Sequence, residues 1–219
     1  AAGPHATTTL ACGWARIRWF SSPVESTASP IRVAVTRWIR TDGPPRWPVA
    51  PMTAPIAVSR LPAGTYGAAY AEAFADLCRR AEAPNLHMAP AAVAAALSFG
   101  LASEDVVVLA AQEQGGERLL GLWALRRMRN LQSGLAAVLR APLMPLYEVS
   151  SAPVLDRDRA GDVAVALLAA IIEAADLPKV LKLPLLPLKS SVFVALEAAL
   201  MAAGGSIATF ELWQRPMLV

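Results

Sequence analysis

The chain has 219 residues, of which 55% are hydrophobic and 17% charged, and a formal net charge of +3. That length gives one domain or slightly more and enough chain to bury a core, and the composition excludes wholesale disorder. Two cysteines (Cys12, Cys78) and two histidines (His5, His87) exclude a disulfide framework and a conventional His/Cys metal centre.

The positive charge is concentrated at one end. Residues 1–51 carry Arg16, Arg18, Arg32, Arg37, Arg40 and Arg46 against only Glu25 and Asp42, a net of +4. The remainder holds fourteen basic and fifteen acidic residues, a net of −1. Four of the six tryptophans and seven of the eighteen prolines also fall in this head. Arginines with interleaved tryptophans fit nucleic acid, since guanidinium pairs with phosphate and indole stacks on bases. A membrane surface fits less well, because Pro23 interrupts any amphipathic helix begun at Arg16, Arg18, Trp19 and Phe20. The favoured reading is a disordered or non-native basic leader, with organised sequence beginning at Met52. On that reading, deleting the head leaves the unfolding midpoint nearly unchanged.

From Met52 the periodicity becomes regular. Pro55 to Leu61 alternates Ile56, Val58 and Leu61 with small or polar neighbours, the pattern of a short strand. Gly67 to Glu82 predicts a helix, with Tyr70, Phe74, Leu77 and Cys78 on one face, ended by Pro84 and Asn85. A second helix runs from Pro90 to Gly100, proline opening it and glycine closing it. The β-branched run within Asp105 to Gln112 predicts a buried strand. The turn Gln114-Gly115-Gly116-Glu117 joins it to a partner strand, Arg118 to Met128. Gly134 to Arg140 is ambiguous, Pro142 to Pro145 reads as a loop, and Leu146 to Ser150 as a further strand. Ser151 to Arg159 reads as a connection. Beyond it come a helix from Ala160 to Asp176, a strand Val180 to Leu183, a helix Lys189 to Ala203 and a last strand Ile207 to Trp213. The longest charge-free run in the late helix, Val163 to Ile172, is about half a membrane span, so no membrane crossing is expected.

The fold class is therefore α/β (α+β), a mixed sheet flanked by helices in the order β-α-α-β-β-β-α-β-α-β. This order resembles GNAT-type acyltransferases, and several phrases resemble the CelD-like (cellulose-biosynthesis) acetyltransferases of that superfamily. Phe74-Ala75-Asp76-Leu77 followed by Ala83-Pro84-Asn85-Leu86-His87-Met88-Ala89-Pro90 is similar to that family's opening helix and proline-asparagine segment. Asp105-Val106-Val107-Val108-Leu109, the glycine turn and Leu119 to Arg127 look like its central hairpin. Ala152-Pro153-Val154-Leu155-Asp156-Arg157-Asp158 is similar to its turn into the third helix. The resemblance covers residues 52–219 and implies an amino-terminal GNAT-like half-domain, with a second half expected beyond Val219.

The resemblance implies acyl transfer from acetyl-CoA or another acyl-CoA to an amine or hydroxyl on a small-molecule acceptor, in the cytoplasm. It places the CoA phosphates at the start of the third helix, on Arg157, Arg159 and Gly161, because bare amides at a helix start favour phosphate. One glycine and three aspartates in Asp156 to Asp162 argue instead for an ordinary capped helix start. Turnover by this chain alone is therefore expected to be weak or absent. Tyr147 and Glu148, on the candidate central strand, and Arg126 and Arg127, at a strand end, are the candidate contacts to substrate or partner; packing is the alternative for the first pair. His87 could serve as a general base but has no carboxylate nearby in sequence, and Cys78 reads as a small core residue. No catalytic residue, metal ligand, Walker loop or dinucleotide fingerprint can be assembled. The second reading is a non-catalytic module that gives substrate or partner contacts to a second GNAT-like half or to another copy of itself. Nucleic-acid binding rests on the head alone.

Overall fold

Val106 to Ala111 and Leu119 to Leu125 are apolar runs in which consecutive side chains, alternating between the two faces of a strand, are all buried. Both faces of this hairpin must therefore be covered, and helices cover them. The computed structural model describes residues 32–35, 54–116, 118–130, 135–141, 143–144 and 150–209. Along the chain these form β1 (Arg32–Val35), β2 (Ile56–Pro62), α1 (Ala71–Arg80), α2 (Pro90–Ser98), β3 (Val106–Glu113) and β4 (Leu119–Asn130). There follow β5 (Leu135–Arg140), β6 (Val154–Leu155), α3 (Ala160–Glu173), β7 (Leu181–Pro184), α4 (Ser191–Ala202) and β8 (Ala208–Thr209). The eight strands make one sheet in the order β2-β3-β4-β5-β7-β1-β8, with β6 also on β4. All pairings are antiparallel except β5 with β7. The mixed α+β class expected from the pattern is what the chain adopts.

Alternation fixes the faces. A methyl group on Gly121 would stand 2.2 Å from Val163 Cγ1 of α3, so odd-numbered residues of β4 face α3. Trp123 accordingly lies with Leu168 of α3 and Leu196 and Leu200 of α4 around a cavity of only 20 Å³. Leu120, Leu122 and Ala124 face the opposite side, where α1 and α2 pack. Leu77 of α1, Val93 of α2 and Leu167 of α3 are all fully buried in one continuous core.

Helix ends follow local chemistry. Pro90 opens α2, and Gly100 leaves it at φ +92°, the left-handed conformation glycine adopts without penalty. Ser190 caps α4 by accepting from Phe193 N–H at 3.1 Å. Lys179 closes α3 by donating to the carbonyls of Ile171 and Ala174, and burial lowers its pKa. No helix among the described residues is long and apolar enough to cross a membrane.

Three expectations change in detail. Within the ambiguous stretch 134–140, Leu135–Arg140 form a strand, β5. The connection 151–159 contains β6, too short for periodicity to reveal. Arg126 pairs with Arg140 of β5 and Leu122 with Val154 of β6, so β5 and β6 lie on one edge of β4. The strand expected at 146–150 falls almost wholly outside the described residues. Of the basic leader, the structure describes only β1, antiparallel to both β7 and β8; the rest of that expectation lies outside the described residues, as does most of the strand expected at 207–213.

Candidate functional site

The turn from β6 into α3, where the resemblance places the acyl-CoA phosphates, is built around Asp156. Val154 and Leu155 pair with β4, and the backbone N–H of Asp156 continues that ladder onto Leu120 O at 2.8 Å. The side chain of Asp156 is wholly buried. One oxygen accepts from the N–H of Asp158 at 3.1 Å, capping the short 3₁₀ turn Arg157–Arg159. The other receives Arg80 Nη1 and, at 3.2 Å, Arg118 Nη2. Arg80 also holds Asp76 at 2.9 Å and donates to Leu119 O at 2.8 Å, so α1, β4 and the β6–α3 turn meet at one guanidinium.

The predicted phosphate ligands are brought together, but both arginines already have partners within the chain. Arg157 folds back onto the carbonyls of Arg80 (3.1 Å) and Ala81 (3.4 Å). Arg159 pairs with Asp162 at 3.0 Å and donates to Ala54 O at 2.9 Å. Gly161 is open, with nothing within 4 Å of where a side chain would begin. It lines a cleft of about 440 Å³ between the start of β2, α3 and α4. The walls are mostly alanine and other apolar residues, and the charged residues there, Arg159 and Asp162, neutralise each other.

The other candidates separate. Tyr147 and Glu148 lie outside the described residues. Arg126 and Arg127 project to opposite faces of β4 and cannot grip one ligand together. Arg127 lies on the α3 side with Asp176 at 3.5 Å, and Asp176 also holds Arg60 at 2.6 Å. The Arg60 hydrogen bond keeps the Asp176 carboxyl below the usual carboxylate range. His87 is half-buried in a 3₁₀ turn whose entry is fixed by Asn85, which accepts from His87 N–H at 3.2 Å. Burial pushes the Cys78 thiol up, away from the thiolate a nucleophile needs. Tyr66, also raised by burial, donates to Met88 O at 2.7 Å and stays protonated. Among the described residues no cluster of His, Cys, Asp or Glu could hold a metal ion.

Sequence reasoning missed Asp156 as the hub of this turn. It treated the three aspartates alike, as marks of an ordinary capped helix start, although only Asp156 is buried. The usable signal was an aspartate directly after the apolar pair Val154-Leu155 and immediately before the turn Arg157–Arg159 that leads into α3.

No family model, curated protein or solved structure matches the chain.

Proposed function

We propose that this chain is a GNAT-like module of an acyltransferase that supplies acceptor or partner contacts and does not itself hold acyl-CoA. The observation that carries this reading is the Asp156 turn. Two arginines and a backbone amide, the donors a phosphate would require, converge on a buried carboxylate. A second anion brought there would meet that carboxylate and find Arg157 and Arg159 already engaged.

A catalytic reading, in which this chain binds acetyl-CoA or another acyl-CoA and transfers the acyl group itself, draws support from one feature. The cleft beside Gly161 is large enough to admit part of a cofactor. Its walls offer few polar groups to orient one, so the module reading is preferred. The partner in this proposal is a second GNAT-like half or another copy, the acceptor a small molecule, and the compartment the cytoplasm.

Calorimetric titration of the full chain with acetyl-CoA tests the reading. The expected result is no saturable heat. Saturable binding at micromolar concentration would overturn it and restore the catalytic reading.

A further inference from the structure

The register of three adjacent strands sets three cations side by side. Arg126 of β4 stands directly opposite Arg140 of β5, and Arg140 is in register with Lys182 of β7. Because residues in register share a face, the three side chains lie in one row on the α1–α2 side of the sheet. Strands are about 4.8 Å apart, so the row spans roughly 10 Å. All three residues are half-buried. Like charges directly opposite one another oppose strand pairing.

Arg126 is the member of the row whose side chain has no ion pair or hydrogen bond among the described residues. Its Nε is shut away from solvent and has no hydrogen-bond partner. No ion pair among the described residues engages it either. The nearest carboxylates along the neighbouring strand, Glu104 and Asp105, precede Val106, its cross-strand partner, and neither pairs with it. A half-buried guanidinium without a counter-ion carries a desolvation cost that an oxyanion bound at its terminal nitrogens offsets. Arg140 and Lys182, which have other interactions as well, contribute through position, by raising the local positive potential.

The geometry points to an oxyanion site at Arg126, Arg140 and Lys182 that takes the phosphate group of a small molecule. A dianionic phosphate matches several adjacent cations better than a carboxylate with one charge, and the planar guanidinium of Arg126 offers paired donors to its oxygens. The site is separate from the Asp156 turn and does not depend on acyl transfer, since phosphate alone is its ligand.

Inorganic phosphate is titrated into the full chain by calorimetry at fixed ionic strength, with acetate as a parallel arm and Arg79→Gln, an exposed change on α1, as control. Saturable phosphate binding is expected, at millimolar affinity or better. It should weaken about tenfold or more in Arg126→Gln, a loss of one charge-assisted contact. Arg126→Lys should retain most of it, and Arg79→Gln all of it. Lys182→Gln carries the same expected loss should Arg126→Gln fail to fold. Absence of saturable binding, or equal affinity in the wild type, Arg126→Gln and Lys182→Gln, would overturn the site. Acetate binding as tight as phosphate would overturn the assignment to phosphate.

Discussion

Asp156 shows how one side chain can decide what a loop does. Its carboxylate is fully buried and satisfied by Arg80, Arg118 and the Asp158 amide. Replacing it with alanine takes from the part-buried Arg80 its one fully buried carboxylate partner, leaving the more exposed Asp76, and uncaps the 3₁₀ turn. Breaking such a buried pair costs about 3–5 kcal/mol, and urea denaturation of Asp156→Ala should show a loss of that order. Arg118→Ala should cost less than about 1 kcal/mol, because that side chain is 51% exposed. The Arg60–Asp176–Arg127 group gives a pH-dependent counterpart. Asp176 has a depressed pKa in the folded state. Its contribution is therefore complete above the unfolded carboxylate pKa of about 3.9 and lost as pH falls through the lower folded value. Comparing Asp176→Asn with wild type should show a stability gap of under about 1 kcal/mol at pH 7 that closes in acid.

At the scale of elements, close approach of α3 to β4 depends on the glycine at 121. Gly121→Ala puts its methyl 2.2 Å from Val163 Cγ1. It should destabilise by roughly 1–3 kcal/mol, as overpacked cores do. Combining it with Val163→Ala should recover part of that loss, visible as a non-additive double-mutant cycle. Gly161 is the opposite case. In open space in the first turn of α3, Gly161→Ala should leave stability unchanged or raise it by up to about 1 kcal/mol. The helices and the β3–β4 hairpin were legible in the sequence, since Phe74 and Leu77, Val106 to Leu109 and Leu167 with Ile171 carry strong periodic or β-branched signals. β6 was not, because two residues cannot establish a period and its pairing with Gly121 and Leu122 is a long-range fact. The resemblance points to the β6–α3 turn, but the partners of Arg157 are backbone carbonyls and one of Arg159's is the carbonyl of Ala54, which residue types do not reveal. The Arg126–Arg140–Lys182 row was half visible as a basic strand end. Arg140 and Lys182 join it only through sheet register.

For the molecule as a whole, β1 alters what the head is expected to do. It lies between β7 and β8 and is the sheet partner through which β8 joins. A chain lacking residues 1–51 should therefore melt roughly 2–8 °C lower, as loss of about 1–2 kcal/mol gives in a chain of this size. An unchanged midpoint would return the head to the leader reading. The central claim remains that the turn into α3, where the resemblance would put a phosphate, is filled by the chain itself. The most direct measurement is an acetyl-CoA titration of the full chain followed at the backbone amides of Asp158 to Asp162 by NMR. The account predicts that these amide signals stay fixed through micromolar concentrations; a saturable shift centred on Asp158, Ala160 and Gly161 would contradict it.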